Sequence, residues 1–356
     1  MITTPHILAI DLGKFNSVLC HFHVATREHT FRTIPTTPDE MRDAIQCQPG
    51  VTVVVEACSP AGWVIDLCHS MNVPVIVTAT HGPAWSWKHL KRKTDRDDAL
   101  KLARLAAIGE LQPVQVPPKA VRQRKSLISL RRRLVGERVR GQNRMRGLLV
   151  GQGISVVRGA KTWTEAGLAE LAAHAKPIQE CGCEELWRGE LDLLLRRHRE
   201  LVAQINEIER KLDELGRADP VTEIVSSVPG VGPRTAEVIA THIGDGSRFR
   251  SSDEVSAYAG LVPRQYQSGE TDRRGRITKR GPSMLRSALV ECAWCSLRYN
   301  RWSRETWQRL VASGLSKKKA IVALARKLLV KCWGMLKRGE RWREPRGSLA
   351  TTPTTG

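Results

Sequence analysis

Five consecutive β-branched residues, Val51 to Val55, constrain the fold of this chain more than any other feature. An unbroken run of this kind is typical of a strand buried on both faces of a sheet. Further strands are predicted at residues 6–10, 17–25 and 73–77, and residues 62–71 have helical spacing. Strands that are followed by alternating helix and strand predict an α/β domain at the start of the chain.

The pattern becomes helical after this region. A helix is predicted over residues 98–110, and the prolines between 113 and 118 mark a linker. Two long amphipathic helices follow, over residues 119–150 and 184–215. Long helices joined by a shorter segment predict a helical hairpin or coiled-coil arm, and an ordinary helix bundle is the alternative.

A third unit begins near Asp219. Its first motif is the glycine- and proline-containing turn of residues 228–233, followed by a predicted helix from Arg234 to Ile243. This pattern predicts a helix-hairpin-helix, in which Gly230 and Gly232 let the turn approach a phosphate to which helix amides point. A plain tight turn is the alternative.

Positive charge is concentrated in two blocks. The formal net charge is +21, and residues 261–350 hold 22 Lys and Arg against 6 Asp and Glu. Residues 119–146 hold 11 basic residues and one acidic residue. Solvated helix faces usually interleave both signs, so these blocks favour a nucleic-acid partner. The candidate phosphate-binding side chains are Arg131, Arg132, Arg133, Arg273, Arg274, Arg276, Lys279, Arg280, Lys317, Lys318 and Lys319.

Several classes of protein are disfavoured. The sequence has no apolar stretch of membrane-spanning length and no secretory signal, so we expect a cytoplasmic protein without a membrane partner. Nine cysteines, an odd number, suit reduced thiols. The Cys292-x-x-Cys295 pair is predicted to pack in a buried helix, with zinc binding as the alternative.

Four carboxylates have the placement of a metal site. Asp11 and Glu56 each follow a predicted strand, whereas Asp95 and Asp98 lie three residues apart at a helix start, on one face. Such a cluster needs cations to offset its charge, and its hard oxygen ligands favour Mg²⁺ or Mn²⁺. Helix capping by Asp95 is the alternative. Gly13 is expected to leave room for a ligand beside Asp11.

These residues stand in motifs that resemble those of the DEDD transposases. In the first half the motifs are Ile10-Asp11-Leu12-Gly13, Val55-Glu56-Ala57 and residues 93–99, Lys-Thr-Asp-Arg-Asp-Asp-Ala. In the second half they are residues 228–233, Tyr258-Ala-Gly-Leu-Val-Pro263, Gln267-Ser268-Gly269, and residues 275–281 with Leu285-Arg286. Together, and in this order, the motifs are specific.

The resemblance implies a recombinase that mobilises an insertion sequence. It implies a RuvC-like, ribonuclease-H-like α/β domain over residues 1–112 whose Asp11, Glu56, Asp95 and Asp98 bind metal. A helical coiled-coil arm is expected over residues 119–217. A mainly α transposase domain, with the helix-hairpin-helix and a serine nucleophile, Ser268, is expected over residues 219–348. Residues 349–356 match no motif and are expected to be a disordered tail.

The resemblance also implies partners. A structured non-coding RNA would pair with donor and target DNA, and the composite site would draw its serine and carboxylates from different protomers of a dimer or tetramer. The residues alone leave Ser268 open as an ordinary loop serine among phosphate-binding arginines. The competing serines are Ser247, Ser251, Ser252, Ser256, Ser283 and Ser287.

Two other functions remain open at this stage. A RuvC-type structure-specific nuclease would hydrolyse DNA with the same carboxylates and without a serine. A catalytically inert nucleic-acid scaffold would use only the hairpin and the basic helices. In all three hypotheses tryptophans of the C-terminal region either stack on unpaired bases or pack in the core. These are Trp302, Trp307, Trp333 and Trp342.

Overall fold

The computed structural model describes residues 4–79, 94–157, 159–268 and 271–344, without the side chains of residues 265–268 and 271–274. Lys93, Gly269 and the predicted tail of residues 349–356 lie outside these ranges. The chain divides into two compact units, Met1–Arg122 and Gln123–Gly356. Each unit is described by itself.

Within the described residues, the first unit contains one mixed five-stranded sheet. Its strands are β1 (His6–Asp11), β2 (Asn16–His23), β3 (His29–Pro35), β4 (Val51–Glu56) and β5 (Val75–Thr78), in the order β3-β2-β1-β4-β5. The strands β1, β2 and β3 are joined as antiparallel neighbours, whereas β4 lies parallel to both β1 and β5. This is the mixed sheet expected of a RuvC-like domain.

Helices cover both faces of this sheet. The helices α1 (Pro38–Gln46) and α2 (Ala61–Ser70) pack on the face that carries Val53 and Val55. The helix α3 (Asp95–Ala107) packs on the opposite face, which carries Val54. Because neighbouring residues of a strand point to opposite faces, every valine of β4 is buried, as the β-branched run predicts.

Two long helices dominate the start of the second unit. They are α4 (Lys119–Gly151) and α6 (Leu186–Arg217), with the short α5 (Glu165–Ala172) between them. The two helices run antiparallel, since Arg131 pairs with Glu209 and Arg144 pairs with Glu190. Apolar contacts such as Leu134 with Leu201 and Ile205 lie between these ion pairs.

The rest of the second unit is mainly helical. Its helices are α7 (Pro220–Ser226), α8 (Pro233–Ile243), α9 (Ser252–Tyr258), α10 (Ser283–Tyr299), α11 (Arg301–Ala312) and α12 (Lys317–Arg338). One hairpin interrupts them, formed by β6 (Pro263–Ser268) and β7 (Thr271–Ile277). The buried side of α12 provides much of the core, through residues such as Leu324 and Leu328.

The predicted α/β start and helical remainder are confirmed. The sequence reading assigned no element of their own to several segments, among them β3, α1 and the β6–β7 hairpin. Throughout the part of the chain that the structure describes, no helix combines the length and the apolar character needed to cross a membrane.

Candidate active site and nucleic-acid surfaces

Asp11 and Glu56 lie side by side at one edge of the sheet. Each is the last residue of its strand, and the parallel register of β1 and β4 pairs Ile10 with Val55 directly before them. Both carboxylates are half-buried. The carboxyl ends of neighbouring parallel strands are a usual place for ligands in α/β sheets, and here that edge carries two acids.

The thiol of Cys58 lies close to both carboxylates. Burial raises its pKa, and the negative charges of Glu56 and Asp11 raise it further, against a hydrogen bond from the backbone at Ala61. Both negative charges thus act on the same sulfur atom, in agreement with the register of β1 and β4.

At the start of α3, the residues that cap the helix are different from the candidate metal ligands. Thr94 is the N-cap and accepts a hydrogen bond from the backbone N–H of Asp97 at 3.3 Å. The carboxylate of Asp97 in turn accepts from the backbone N–H of Thr94 at 3.1 Å and from its hydroxyl at 2.6 Å. This reciprocal arrangement is a capping box, so the cap is Thr94 and not Asp95.

Asp95 and Asp98 occupy the first turn of α3. Asp95 is exposed and Asp98 is half-buried, next to the fully buried Ala99. Ala99 packs with Ile7, Ala9 and Val54 of the sheet, which ties the first turn of α3 to the strands that carry Asp11 and Glu56. The four acids therefore stand on three elements that share one core.

The donor chemistry of these acids suits Mg²⁺ or Mn²⁺, which prefer carboxylate oxygens. Their placement fits in part. Among the residues described, no three His, Cys, Asp or Glu side chains are grouped closely enough to hold a metal ion. The structure brings Asp11 and Glu56 together and leaves Asp95 and Asp98 as a second pair.

Gly13 lies in a tightly packed turn. A Cβ on Gly13 would overlap the carbonyl oxygen of Asn16, at the start of β2. The turn between β1 and β2 therefore needs a glycine at this position for its own backbone packing. Close approach of a ligand beside Asp11 stays a prediction.

Ser268 is the last residue of β6, where its Cα pairs with that of Thr271 across the hairpin. Its side chain is outside the described set, as are those of Arg273 and Arg274. A strand occupies this position, where the sequence left an ordinary loop as an alternative. The motif that carries Ser268 thus lies at the turn end of a two-stranded hairpin.

The base of this hairpin is tightly built. Gly260 and Gly281 both have positive φ angles, of 65° and 80°, and each faces a backbone carbonyl of the other segment. The guanidinium of Arg286 donates to the carbonyl oxygens of Ala259 at 3.0 Å and of Arg280 at 3.2 Å. Sequence reasoning gave Arg286 no function, and the structure shows that it joins the two segments.

The two glycines of the predicted helix-hairpin-helix differ in their surroundings. Gly230, with a φ of 93°, packs against α10, and a Cβ there would lie 2.7 Å from the Cα of Ser296. Gly232 is exposed, N-caps α8 and has open space where a Cβ would lie. Gly230 therefore has an internal packing role, and only Gly232 has room for a phosphate at the helix start. Contact of either glycine with DNA stays a prediction.

Most of the predicted phosphate-binding side chains that the structure describes are exposed. The exposed ones are Arg132, Arg133, Arg276, Lys279, Arg280, Lys317, Lys318 and Lys319. Arg131 is engaged within the chain, because its Nε donates to Glu209 at 2.7 Å. Its positive charge is largely offset there, which makes it a weaker candidate than its neighbours.

Three lysines, Lys317 to Lys319, form the first turn of α12. The helix dipole is positive at this end, so cations here destabilise the helix by a few tenths of a kcal/mol each. Stability of the fold does not account for them. Attraction of a polyanion would account for them, and that role of these lysines stays a prediction.

A second cluster of cationic groups lies between α4 and the end of α8. Burial, with a contribution from Lys125, lowers the pKa of His242 to about 4. Burial, followed by the nearby Arg248, lowers the pKa of Lys125 to about 8. The Nδ1 atom of His242 lies 2.8 Å from the carbonyl oxygen of Val238, and this contact requires a proton on Nδ1.

The remaining candidates divide between core and surface. Four tryptophans pack in part against the C-terminal core, namely Trp302, Trp307, Trp333 and Trp342.

Cys292 is buried, as predicted, whereas Cys295 is exposed, contrary to the prediction that both pack inside. The two cysteines are three positions apart in α10, but a spacing of three does not put both on the buried face of this helix.

Comparison with known proteins gives matches over both halves of the chain. Residues 222–308 match the family model described as the transposase IS116/IS110/IS902 family. Residues 8–153 match a model for the DEDD transposases of IS110, described as a transposase. The first region contains Gly230 and Gly232, and the second contains all four candidate carboxylates.

Individual relatives have the same description. The transposase for insertion sequence element IS1111A of Coxiella burnetii is 32% identical over 295 residues, covering 82% of this chain and 79% of that protein. The putative transposase y4pF/y4sB of Sinorhizobium fredii is 30% identical over 98% of this chain and 89% of its own length. The transposase for insertion sequence element IS1328 of Yersinia enterocolitica is 30% identical, covering 81% and 82%. The chain belongs to the IS116/IS110/IS902 family of insertion-sequence transposases.

Proposed function

We propose that this transposase cuts and rejoins DNA through a covalent serine–DNA intermediate at Ser268, with target choice set by a structured non-coding RNA. Membership of the family makes the chain an enzyme that binds, cleaves and recombines DNA. The serine, the metal ligands and the RNA are the proposed parts. The domain limits stated from the sequence, residues 1–112, 119–217 and 219–348, are proposed with them.

The observation that carries the proposal is the pairing of Asp11 with Glu56. Two acids at neighbouring strand ends place hard carboxylate oxygens side by side on the sheet. Oxygens of this kind are the ligands that a divalent cation such as Mg²⁺ prefers. We propose Asp11 and Glu56 as ligands, with Asp95 and Asp98 completing the set from the first turn of α3.

A divalent cation bound there would stabilise negative charge on a phosphate and on the departing oxygen. By holding that cation in place, Asp11 and Glu56 would also fix the position of the phosphate that it binds. Asp97 would contribute indirectly, because its capping box fixes the first turn of α3 and with it the backbone of Asp95 and Asp98.

Ser268 would attack phosphorus with its hydroxyl oxygen. A bond from Oγ to phosphorus would form as the hydroxyl gives up its proton, the bond from phosphorus to a deoxyribose oxygen would break, and the departing oxygen would take up a proton in balance. Rejoining reverses these bonds with a hydroxyl of another strand. The exposed cations Arg276, in β7, and Lys279 and Arg280, shortly after it, support the proposal, since they would offset the charge of the DNA backbone.

A composite site in a dimer or tetramer belongs to the same proposal, because Ser268 and the carboxylates are on different compact units of the chain. Mixing two inactive variants, Asp11→Asn and Ser268→Ala, tests it. Activity recovered in the mixture supports a shared site. Activity that stays absent, while both variants assemble normally, contradicts it.

The main test is covalent capture on element-end DNA with flanking transcripts and Mg²⁺. After digestion with trypsin and nuclease, mass spectrometry would search for a nucleotide on Ser268. Ser268→Ala should lose the adduct and strand cleavage yet keep DNA binding, whereas the control Ser283→Ala should keep all three. Cut DNA without any adduct would instead favour the hydrolytic nuclease.

A further inference from the structure

A groove of about 690 Å³ runs along the outer side of α12, which we call the α12 groove. Its walls include the indoles of Trp302 and Trp333 and the cationic side chains of Arg326, Lys327, Lys331 and Arg338. Among the described residues that line it, none is acidic. Aromatic faces beside several cations are the composition of a surface that binds nucleotides.

Both indoles are held in position by the fold. The Nε1–H of Trp333 donates to the carbonyl oxygen of Gly246 at 3.0 Å, and a Cβ on Gly246 would lie 3.0 Å from the indole Cδ1. The ring of Trp302 meets that of Trp342 edge to face, with centroids 5.8 Å apart. Rings already fixed in this way lose little rotational freedom when a planar ligand stacks on them.

A lysine ammonium group lies over the ring of each tryptophan. The Nζ of Lys331 lies 5.5 Å from the ring centroid of Trp302, and that of Lys337 lies 5.1 Å from the ring centroid of Trp333. Lys331 and Lys337 are both exposed, so their flexible side chains can move aside. A base that displaced them would keep the ring face covered, and the ammonium groups would remain near its phosphates.

Part of the positive charge of Arg326 is offset by contacts within the protein. Its guanidinium donates to Asp253 at 3.1 Å and to the hydroxyl of Ser256 at 3.3 Å. Lys327 and Lys331, in contrast, are exposed and lie four residues apart on the same face of α12. These two lysines are therefore the better candidates for contacts with successive phosphates.

We propose that the α12 groove binds unpaired nucleotides of an RNA, with bases stacked on Trp302 and Trp333 and phosphates near Lys327 and Lys331. Duplex DNA keeps its bases stacked within the helix, whereas loops and ends of folded RNA expose unpaired bases that aromatic side chains bind. The groove therefore suits RNA loops better than the duplex ends of an element. The RNA identity rests on the proposed function, whereas the stacking surface does not.

The test measures fluorescence anisotropy of the full-length protein with a labelled, unstructured RNA of about ten nucleotides. The same sequence as single-stranded DNA and a duplex DNA are the other probes. The groove variants are Lys327→Glu with Lys331→Glu, and Trp302→Ala. Their controls are Arg210→Glu with Lys211→Glu on exposed positions of α6, which removes the same positive charge, and Trp294→Ala on the exposed side of α10.

We expect each groove variant to weaken RNA binding about tenfold more than its control, with duplex binding equal in the two members of each pair. Equal RNA affinities in variant and control overturn the proposal. Single-stranded DNA bound as tightly as RNA, with the same sensitivity to the variants, overturns the choice of RNA. A changed oligomeric state with unchanged RNA binding assigns the groove to a second copy of the chain and also overturns it.

A second measurement avoids dependence on the folding of variants. RNA containing 4-thiouridine, crosslinked to the unmodified chain, should leave its nucleotide on Trp302, Trp333 or Lys331, and crosslinks only elsewhere would contradict the site. Asp11→Asn separates this inference from the proposed function. This variant should lose strand cleavage while keeping the crosslink. An unmodified enzyme that cleaves DNA but gives no crosslink in the groove would count against the groove alone.

Discussion

Gly260 and Gly281 lock together the two segments that carry the β6–β7 hairpin. A Cβ on Gly260 would overlap the carbonyl oxygen of Arg280, and a Cβ on Gly281 would overlap that of Tyr258. Both residues also have left-handed backbone conformations that L side chains rarely adopt. The proposed nucleophile Ser268 is thus on a hairpin whose base leaves no space for a side chain.

Replacing Gly281 with alanine should destabilise the protein strongly. The left-handed conformation costs about 1–2 kcal/mol, and relief of the overlap adds enough that we expect a total loss of about 3 kcal/mol. Urea denaturation measures this loss. Gly314→Ala is the control, because Gly314 has a φ of 90° and nothing within 4 Å of a Cβ. Equal losses in the two variants would contradict the tight packing at the hairpin base.

Neutralising either strand acid should weaken metal binding. Asp11→Asn and Glu56→Gln each remove one charged oxygen ligand, and we expect Mn²⁺ affinity, measured by calorimetry, to fall at least about tenfold. Glu28→Gln, on the exposed turn before β3, is the matched control and should bind normally. Unchanged affinity in both strand variants would show that the ion binds elsewhere.

Substitution of Asp97 should affect stability, whereas substitution of the adjacent Asp98 should affect catalysis. Asp97→Ala breaks the capping box and should lower the free energy of unfolding by about 1 kcal/mol. Asp98→Asn leaves that box intact and should abolish strand cleavage with little change in stability. Thermal unfolding and a cleavage assay on both variants check this pair. The reverse pattern would move the proposed ligand from Asp98 to Asp97.

In the turn before α8, substitutions of Gly230 and Gly232 should likewise have different effects, the first on stability and the second on duplex binding. Gly230→Ala meets the backbone of α10 and should cost about 3 kcal/mol of stability. Gly232→Ala enters open space and should leave stability nearly unchanged, but it should weaken duplex binding if a phosphate approaches that turn. Normal duplex binding by a folded Gly232→Ala protein would favour the plain tight turn.

Acid should destabilise the second unit through His242. Burial lowers the folded-state pKa of His242 to about 4, below the 6.5 of an unperturbed histidine. The unfolded chain therefore binds a proton that the folded chain does not bind between these values. Stability is complete above pH 6.5 and falls as the pH drops towards 4, by at most about 3 kcal/mol. His242→Gln should flatten this slope in urea denaturation at several pH values, and an unchanged slope would exclude His242 as its source.

The central strand could be predicted because its cause is local. Burial on both faces favours an unbroken run of β-branched residues, and Val51 to Val55 form such a run, in which Thr52 is the one polar side chain. The neighbouring position of Asp11 and Glu56 followed, since both were expected at strand ends. The edge strand β3 has mostly exposed residues, and its sequence therefore lacks the apolar pattern that predicts a strand.

Other features depend on partners far away in the sequence. Arg131 resembled its neighbours Arg132 and Arg133 until its contact with Glu209, 78 residues away, became visible. The hairpin of β6 and β7 reads as an arginine-rich loop, because its described side chains near the base are mostly exposed. The Thr94-x-x-Asp97 capping box, by contrast, has a recognisable spacing and was available to sequence analysis.

The antiparallel pairing of α4 and α6 has a mechanical consequence. Three ion pairs join the helices at successive levels: Arg131–Glu209, Arg197–Glu137 and Arg144–Glu190. We therefore expect the two helices to bend and rotate together. With 33 residues, α4 is about 50 Å long. A tilt of about 5° at one end of such a helix displaces the other end by about 4 Å. A small rotation at one end would thus move a nucleic acid bound at the other end by about the distance between neighbouring bases.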